Sequence, residues 1–336
     1  MTDRDILRVI AAEDEDEIET LFAQARSVRE EHYGKSVFLR GLIEITNYCK
    51  NDCYYCGIRR SNTQLGRYRL SLDDILGCCR SGDRFGYTTF VLQGGEDPRL
   101  TDDAIVEIVS AIRQEFPDHA ITLSLGERIR QGYERFFRAG ANRYLLRHET
   151  AEESHYAQLH PSAMSLVNRK RCLRDLKEIG FQTGAGFMVG SPWQKPENLL
   201  ADLRFLEELQ PQMAGIGPFI PHRDTPFAAE KAGSLRLSLK MVALARLLLP
   251  KALIPATTAM GTIAANGREL ALNAGANVIM PNLSPDRMRK LYAIYDNKLN
   301  AGDDAAAYHA HIEKLIYSAG YVPDFSRGDY LNLTHN

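Results

Sequence analysis

Short apolar runs rich in β-branched residues alternate along the chain with longer segments whose apolar residues recur every three to four positions. The first pattern is typical of a buried strand, and the second is typical of an amphipathic helix. Eight strands are predicted, at residues 38–46, 88–93, 120–125, 143–149, 184–190, 213–219, 252–258 and 277–281. Strands that alternate with helices form a parallel sheet. Eight such units favour an α/β fold of the closed (β/α)8 TIM-barrel type over an open doubly wound sheet.

The segments outside the strands predict the rest of the organisation. Ser71, Thr101 and Ser238 are the predicted N-caps of three helices, because a hydroxyl there accepts hydrogen bonds from free amides of the first turn. Residues 1–36 are predicted to form an N-terminal helical extension, 37–298 the barrel, and 299–336 a C-terminal addition with a helix at 303–319. The polar tail after Gly320 is predicted to be poorly ordered.

Strand alternation predicts a polar barrel interior. Arg40 and Glu44 share one face of the first predicted strand, and Arg147 and Glu149 share one face of the fourth. The opposite faces are apolar and suit the side that packs against helices, so the charged faces point inward. An unpaired charge there costs several kcal/mol. The interior therefore holds either a ligand or a structural network of ion pairs.

The overall charge excludes several classes of partner. Basic and acidic residues number 41 and 43, for a net charge of −2, so no global field attracts nucleic acid or an anionic membrane. The N-terminal segment lacks a basic stretch followed by an apolar one, and the apolar stretch near residue 245 is interrupted by Arg246 and ends at Pro250. We expect a cytoplasmic monomer with a small-molecule partner.

Three cysteines form the most informative motif. Cys49, Cys53 and Cys56 directly follow the first predicted strand, at the barrel face where active sites of this fold lie. Three thiolates can bind three irons of a 4Fe-4S cluster and leave the fourth iron open for a ligand. A zinc site completed by a distant histidine or cysteine is the alternative, although the sequence has no second knuckle. The other cysteines are predicted to be ordinary partly buried thiols: Cys78, Cys79 and Cys172.

The CxxxCxxC spacing, with Tyr55 before the third cysteine, resembles the signature of the radical S-adenosylmethionine (SAM) superfamily. Residues from about 36 to 295 resemble, more specifically, the FeFe-hydrogenase maturases of the HydE type. The segments that carry this resemblance are RRSNTQLGRYRLS, VLQGGEDP, TLSLGE, RYLLRHETA, TGAGFMVGSP, GIGPFIPHRDTP, LKMVALARLLLP, IPATTAMGT and NVIMPN. Biotin synthase and methylornithine synthase are related members of the superfamily.

The resemblance implies one 4Fe-4S cluster on the three cysteines, which binds SAM and cleaves it to methionine and a 5′-deoxyadenosyl radical. It implies that Gly94, Gly95 and Glu96 bind the methionyl amine, that Glu149 binds the ribose hydroxyls, and that Arg169 pairs with the carboxylate.

Simpler interpretations of these residues stay open. The glycines suit a turn that needs positive φ. Thr150 and Glu153 could form a capping box beside Glu149. Arg169 lies in a charged stretch typical of a solvated helix face.

The resemblance also implies a substrate cavity deeper in the barrel, lined by Arg40, Arg147, Thr257, Thr258, Met280 and Tyr292. Two arginines and two hydroxyls suit an anionic ligand. In the resembled family this ligand is a cysteine-bound iron carbonyl cyanide complex, whose sulfur the adenosyl radical attacks on the way to the hydrogenase's two-iron subcluster. Other maturation proteins and an electron donor are the implied transient partners.

Two departures from the superfamily pattern bear on function. The turn after the fifth predicted strand contains Trp193 in the sequence GSPWQ, and no cysteine follows Cys172, so a second cluster is not expected. A mutase acting on a small carboxylate, as in methylornithine synthesis, remains an alternative function. Biotin synthase needs further cysteines that are not present here. A non-enzymatic iron-sulfur carrier is the third alternative.

Overall fold

A ring of parallel strands organises the computed structural model, which describes residues 1–299 and 305–331. The strands are β1 (Ser36–Leu39), β2 (Gly41–Thr46), β3 (Thr89–Gly94), β4 (Ala120–Ser124), β5 (Arg143–Leu145), β6 (Gln182–Ala185), β7 (Met188–Val189), β8 (Met213–Ala214), β9 (Gly217–Pro218), β10 (Val278–Ile279) and β11 (Val322–Asp324). The helices are α1 (Asp3–Ala11), α2 (Glu15–Tyr33), α3 (Leu72–Arg84), α4 (Asp102–Glu115), α5 (Arg130–Arg138), α6 (Glu153–Leu159), α7 (Leu166–Ile179), α8 (Pro196–Leu209), α9 (Leu235–Leu248), α10 (Thr258–Ile263), α11 (Gly267–Asn273), α12 (Asp286–Arg289) and α13 (Ala305–Ser318).

The ring closes as a (β/α)8 barrel. Strands β2, β3, β4, β5, β6 and β8 are parallel neighbours in that order. A single bridge joins Met213 to Leu253, another joins Pro255 to Val278, and β10 then pairs with β1. The predicted barrel is therefore confirmed, with local differences in its strands. The segment at 252–258 takes part through isolated bridges and forms no regular strand, and the strand predicted at 143–149 ends at Leu145. Two short strands each replace the single strands predicted at 38–46, 184–190 and 213–219.

The barrel helices begin where short polar side chains cap their free amides. Ser71 accepts from the amide of Asp74, and Thr101 accepts from that of Ala104, as predicted. The prediction for Ser238 was wrong. Helix α9 begins four residues earlier, after Ser234, and the buried Ser238 hydroxyl donates to the Ser234 carbonyl inside the helix.

The N-terminal helices α1 and α2 lie outside the barrel and are held there by buried cations. Arg29 is fully buried and donates to the carbonyls of Gly34 and Ser36, at 2.8 and 2.6 Å. The Lys240 ammonium, on α9, donates to the carbonyl of Ile10 at 2.6 Å. No helix in residues 1–299 or 305–331 is long and apolar enough to cross a lipid bilayer.

The segment after Gly320 closes the N-terminal end of the barrel, which corrects the prediction of a poorly ordered tail. Strand β11 pairs in parallel with β1. The Asp329 carboxylate then lies 2.6 Å from the Arg143 guanidinium, and the Gly328 carbonyl accepts from Arg40 at 3.2 Å. Residues 332–336, and positions 303–304 of the predicted last helix, lie outside the described residues.

Candidate active site

A cavity of about 330 Å³ occupies the end of the barrel where the parallel strands have their carboxyl ends. Its size falls within the ~300 to 1,000 Å³ of small-molecule sites. Twelve of the fourteen predicted site residues line it: Cys49, Cys53, Cys56, Gly94, Gly95, Glu96, Arg147, Glu149, Arg169, Thr257, Met280 and Tyr292. The sequence therefore identified residues that the fold brings to one place.

The cysteine loop is fixed to three different parts of the barrel mouth by its backbone. The amide of Lys50 donates to the Glu96 carbonyl at 2.9 Å, and the amide of Tyr54 donates to Leu159 at 3.0 Å. The amide of Gly57 donates to the Ile294 carbonyl at 2.9 Å. These bonds hold the three thiols against the cavity without using the thiols themselves.

The thiols lie in an environment that opposes ionisation when no metal is bound. Burial raises the pKa of Cys49, and it raises the pKa of Cys56 to about 12. The pKa of Cys53 is raised well above its usual value by burial and then by the neighbouring thiols of Cys56 and Cys49. A metal centre would replace these protons, since cysteine binds metals as the thiolate.

The chemistry of this donor set fits a 4Fe-4S cluster. In the described part of the chain, no three His, Cys, Asp or Glu side chains are grouped so as to hold one metal ion. Convergence of three side chains on one point is needed to bind a single ion. In a 4Fe-4S cluster each thiolate binds a different iron, so the thiols can lie further apart. The cavity beside the thiols leaves room for a ligand on the fourth iron.

Gly94 and Gly95 do not support the turn interpretation, because neither has φ in the left-handed region. Close packing requires them instead. A Cβ on Gly95 would lie 2.2 Å from the Tyr48 carbonyl oxygen, and one on Gly94 would lie 2.8 Å from the Thr46 methyl group. The glycines thus let the end of β3 approach the cysteine loop. The adjacent Glu96 is 6% exposed, and its carboxylate lies 3.3 Å from the Lys50 ammonium.

Glu149 presents its carboxylate to the cavity from a strained backbone position, with φ of +68°. Its Oε2 lies 3.0 Å from Nη2 of Arg147. The capping box predicted for Thr150 and Glu153 is absent from helix α6 as described, because Glu152 caps that helix through the amides of Ser154 and His155. Glu149 is therefore free of a capping role.

Arg169 is buried, so the interpretation as a solvated surface arginine was wrong. Only 7% of the residue is exposed, and its Nε lies 3.0 Å from Oε1 of Glu127. Its Nη1 lies 3.9 Å from Glu96. Sequence reasoning missed Glu127 as a site residue, although the acid at the end of the TLSLGE segment was a signal for it.

The deeper wall of the cavity offers polar atoms that are not saturated. Among the described residues, Nε and Nη2 of Arg147 and Oγ1 of Thr257 have no hydrogen-bond partner of good geometry. Met280 lines the same wall, and the Tyr292 hydroxyl accepts from Nε2 of Gln93 at 3.3 Å. Buried polar groups normally find partners, so these atoms mark a place for a polar ligand.

Arg40 and Thr258 do not line this cavity. Arg40 precedes Glu44 by four residues, which is about 13 Å along a strand, and it is 4% exposed near the opposite end of the barrel. Its guanidinium contacts the Met213 sulfur and the Gly328 carbonyl. The Thr258 hydroxyl accepts from Arg268 at 3.3 Å instead of facing the lumen. Neither position supports contact with a ligand of the cavity.

A second lumen cation, Lys298, was not predicted. Its ammonium pairs with the Glu44 carboxylate, whose other oxygen accepts from Asn282 at 2.9 Å. Glu44 is thus neutralised by Lys298, and Arg147 is left to face Glu149 and the cavity. An ion pair therefore accounts for the buried charge on Glu44, with Lys298 as its partner. The ligand interpretation stays a prediction for the cavity that Arg147 and Glu149 face.

The GSPWQ turn contains two residues with positive φ, Gly190 at +75° and Trp193 at +62°. The Gly190 amide donates to the Gln194 side chain at 2.6 Å. The Trp193 ring is 57% exposed and meets Phe227 edge to face at 5.5 Å. The ring of Phe227 lies in turn 6.3 Å from that of Phe219, which lines the cavity, so Phe227 separates Trp193 from the cavity wall.

Comparison with known proteins agrees with this geometry. The model of the radical SAM superfamily matches residues 43–206. The [FeFe] hydrogenase maturase subunit HydE of Thermotoga maritima is 48% identical over 305 residues, which cover 91% of this chain and 87% of the relative. This chain belongs to the HydE family of radical SAM enzymes. As a family member it is an iron-sulfur enzyme that uses a 4Fe-4S cluster and SAM.

Other relatives of this HydE-family enzyme share the same architecture. The 3-methylornithine synthase of Methanosarcina acetivorans is 32% identical, over 90% of this chain and 85% of the relative. A crystal structure of methylornithine synthase superposes with a TM-score of 0.86 at 29% identity and covers 96% of this chain and 94% of that one. The maturase HydG superposes with a TM-score of 0.81 at 20% identity, covering 97% and 73% of the two chains, which shows a common fold alone.

Proposed function

We propose that this enzyme acts in the maturation of an FeFe-hydrogenase, on a cysteine-bound iron carbonyl cyanide complex. The observation that carries the proposal is one cavity that joins the three cysteine thiols at its mouth to unsaturated polar atoms of Arg147 and Thr257 deeper in the barrel. A cofactor at the mouth and a substrate in the lumen would then share one enclosed space. The identity of 48% to a HydE maturase supports the same assignment.

Cys49, Cys53 and Cys56 would hold the cluster. When bound, the cluster supplies the electron that cleaves SAM to methionine and a 5′-deoxyadenosyl radical. The Glu149 carboxylate, an acceptor only, suits the ribose hydroxyls. The Arg169 guanidinium suits the methionine carboxylate at the other end of the molecule.

The substrate would lie below SAM, where Arg147 provides a positive charge within the cavity. Its Nη2 contacts only Glu149, and its Nε has no partner among the residues described. An anionic complex would gain a short charge-assisted hydrogen bond at this position. Other maturation proteins and an electron donor would be transient partners, and the chain would act as a monomer. Arg40 and Thr258 are not included in this substrate site.

A methylornithine-type mutase is the second candidate, because a methylornithine synthase structure superposes over almost the whole chain at a TM-score of 0.86. Such an enzyme would accept an amino acid in the lumen. Its carboxylate would occupy the same position beside Arg147 as the anionic complex, so the two candidates differ in the ligand and share the cavity.

The deciding experiment is anaerobic reconstitution with iron and sulfide, followed by a reductant and SAM, with 5′-deoxyadenosine measured over time. We expect a slow basal rate that rises at least about tenfold when the cysteine-bound iron carbonyl cyanide complex is added. Lysine, the small amino acid tested for the mutase, serves as the matched comparison. Stimulation by lysine alone would transfer the assignment to the second candidate, and no stimulation by the complex would refute the first.

A further inference from the structure

Next to Glu149, where the chain continues beyond the end of β5, lies a fully buried pair of titratable residues. His148 and Asp202 are both 0% exposed. Nε2 of His148 lies 3.3 Å from Oδ1 of Asp202, although the angle falls short of an ideal hydrogen bond. Asp202 belongs to α8, and the same oxygen accepts the amide of Ala151. Neither residue lines the cavity.

The contacts of His148 define its tautomer. The Gly186 amide lies 3.3 Å from Nδ1 and can only donate, so Nδ1 is the bare nitrogen and the ring proton is on Nε2. That proton faces Asp202. Burial holds the pKa of His148 well below its usual value, so the ring is neutral. The imidazole therefore lies between Gly186, in the short segment that joins β6 to β7, and Asp202 on α8.

These contacts surround the strained residue. A non-glycine residue at φ of +68° persists only where its neighbours determine the backbone on both sides. The Glu149 amide donates to Gly186, and the Glu149 carbonyl accepts from Met188, each at 3.1 Å. Asp202 contacts the residue before Glu149 through the imidazole and the second residue after it through the amide of Ala151.

Packing alone does not account for an acid at this position. The buried face of α8 is otherwise mainly apolar, with Leu199, Leu203 and Leu206 each at most 2% exposed. The ring of His148 lies between Phe205, at 4.9 Å, and Phe187, at 5.9 Å. A buried acid among these groups is costly unless its hydrogen bonds are needed, and burial raises the pKa of Asp202 well above its usual value. Its two contacts both lead to the backbone around Glu149.

We propose that Asp202, acting through His148 and the amide of Ala151, is a positioning residue that fixes the Glu149 backbone so that its carboxylate meets the ribose of SAM. The inference rests on the proposed role of Glu149. It assigns no direct contact with the cofactor to Asp202 or His148. Loss of Asp202 would let Glu149 relax to an ordinary φ and turn its carboxylate away from the ribose.

The test is a double-mutant cycle on SAM binding, measured as the dissociation constant of the reconstituted enzyme. Glu149→Ala should raise the constant at least about 30-fold, and Asp202→Leu should raise it about tenfold. The double variant should match Glu149→Ala alone, because residues that act through one another are not additive. Asp202→Asn, whose amide oxygen still accepts both N–H groups, should recover most of the affinity. Leu206→Ala, a packing loss on the same helix, is the matched control and should leave the constant unchanged.

Each result supports or overturns one statement. Additive losses in the double variant, or an unchanged constant in Asp202→Leu, would overturn the positioning role. A Glu149→Ala variant with normal affinity would overturn the proposed ribose contact itself, and with it any positioning through that contact. Iron content and melting temperature are measured for every variant. If Asp202→Leu fails to load its cluster, the same cycle with His148→Phe decides, since phenylalanine keeps the aromatic packing and removes both ring nitrogens, including the Nε2 that faces Asp202.

Discussion

Replacing Lys298 with Met should destabilise the barrel, because it strands a buried carboxylate. The side chain of Glu44 is 1% exposed and that of Lys298 is 10% exposed. The Lys298 ammonium also donates to the Tyr292 carbonyl at 3.0 Å. Among the contacts that the structure describes, the Glu44 carboxylate would then keep only the side-chain amide of Asn282.

The expected loss in the free energy of unfolding is large for a single buried ion pair. Removing one partner of a buried ion pair typically costs ~3 to 5 kcal/mol. Unfolding entropy of about 2.1 cal/mol/K per residue gives roughly 0.7 kcal/mol/K for 336 residues, so each kcal/mol lowers the melting temperature by about 1.4 °C. Lys298→Met should therefore melt about 4 to 7 °C below the wild type.

The assay is calorimetry of cluster-free protein, with two comparison variants. Lys298→Met with Glu44→Gln should recover most of the loss, because no charge is then stranded. Arg147→Met should fall by less than about 2 °C, since Arg147 is 30% exposed to the cavity and such pairs contribute only ~0 to 1 kcal/mol. A Lys298→Met variant that melts within 1 °C of the wild type, or a double variant that loses the sum of both effects, would refute the reasoning.

Three further outcomes are expected. The single variants Cys49→Ala, Cys53→Ala and Cys56→Ala should each lose cluster absorbance and 5′-deoxyadenosine formation. The control Cys172→Ala, which removes a buried thiol outside the cavity, should keep both. Full activity in any of the first three variants would show that the ligand set is wrong. Arg147→Met should keep basal SAM cleavage while substrate stimulation falls at least about tenfold, and retained stimulation would remove Arg147 from the substrate site. Burial tends to raise the pKa of Asp329, but Arg143 and hydrogen bonds lower it from 3.8 to about 2. The stability that Asp329 provides is therefore complete above about pH 4 and lost as the pH falls towards 2. Urea unfolding of cluster-free wild type and Asp329→Asn should converge over that range, and a constant difference would contradict it.

Alternation along the strands predicted which side chains enter the barrel, and the reason is geometric. A period of two separates the two faces of a strand without reference to any other part of the fold. Glu149, Arg147 and Glu44 were therefore assigned correctly to the interior. The same pattern does not predict how far along the barrel axis a side chain lies, because that position depends on the register between strands. This is why Arg40 was expected beside Arg147, whereas it lies at the opposite end of the barrel.

The periodicity of apolar residues could not predict contacts between segments that are far apart in the chain and lack regular secondary structure. Lys298 lies outside the named helices and strands and meets Glu44 across 254 positions of the chain, so no periodicity pointed to it. The errors at the helix starts have a local cause. Ser234 and Ser238 are both suitable caps, and only the tertiary path of the preceding loop decides between them. The acid Glu152 replaced the predicted cap of α6 because it lies directly at the start of the helix.

The pairing of β11 with β1 has a consequence for how the protein is made. Ser36 lies beside Val322, a partner that is synthesised 286 residues later. At ~5 to 20 residues per second, the first barrel strand waits roughly 14 to 57 s on the ribosome before this neighbour exists. Arg40 faces an unfinished barrel end for nearly the whole interval, and Arg143 does so from its own synthesis, 107 residues after Ser36. Closure of this end of the barrel must then wait until Val322 has been synthesised, and a chain shortened before Gly328 would lack both groups that pair with these guanidinium groups.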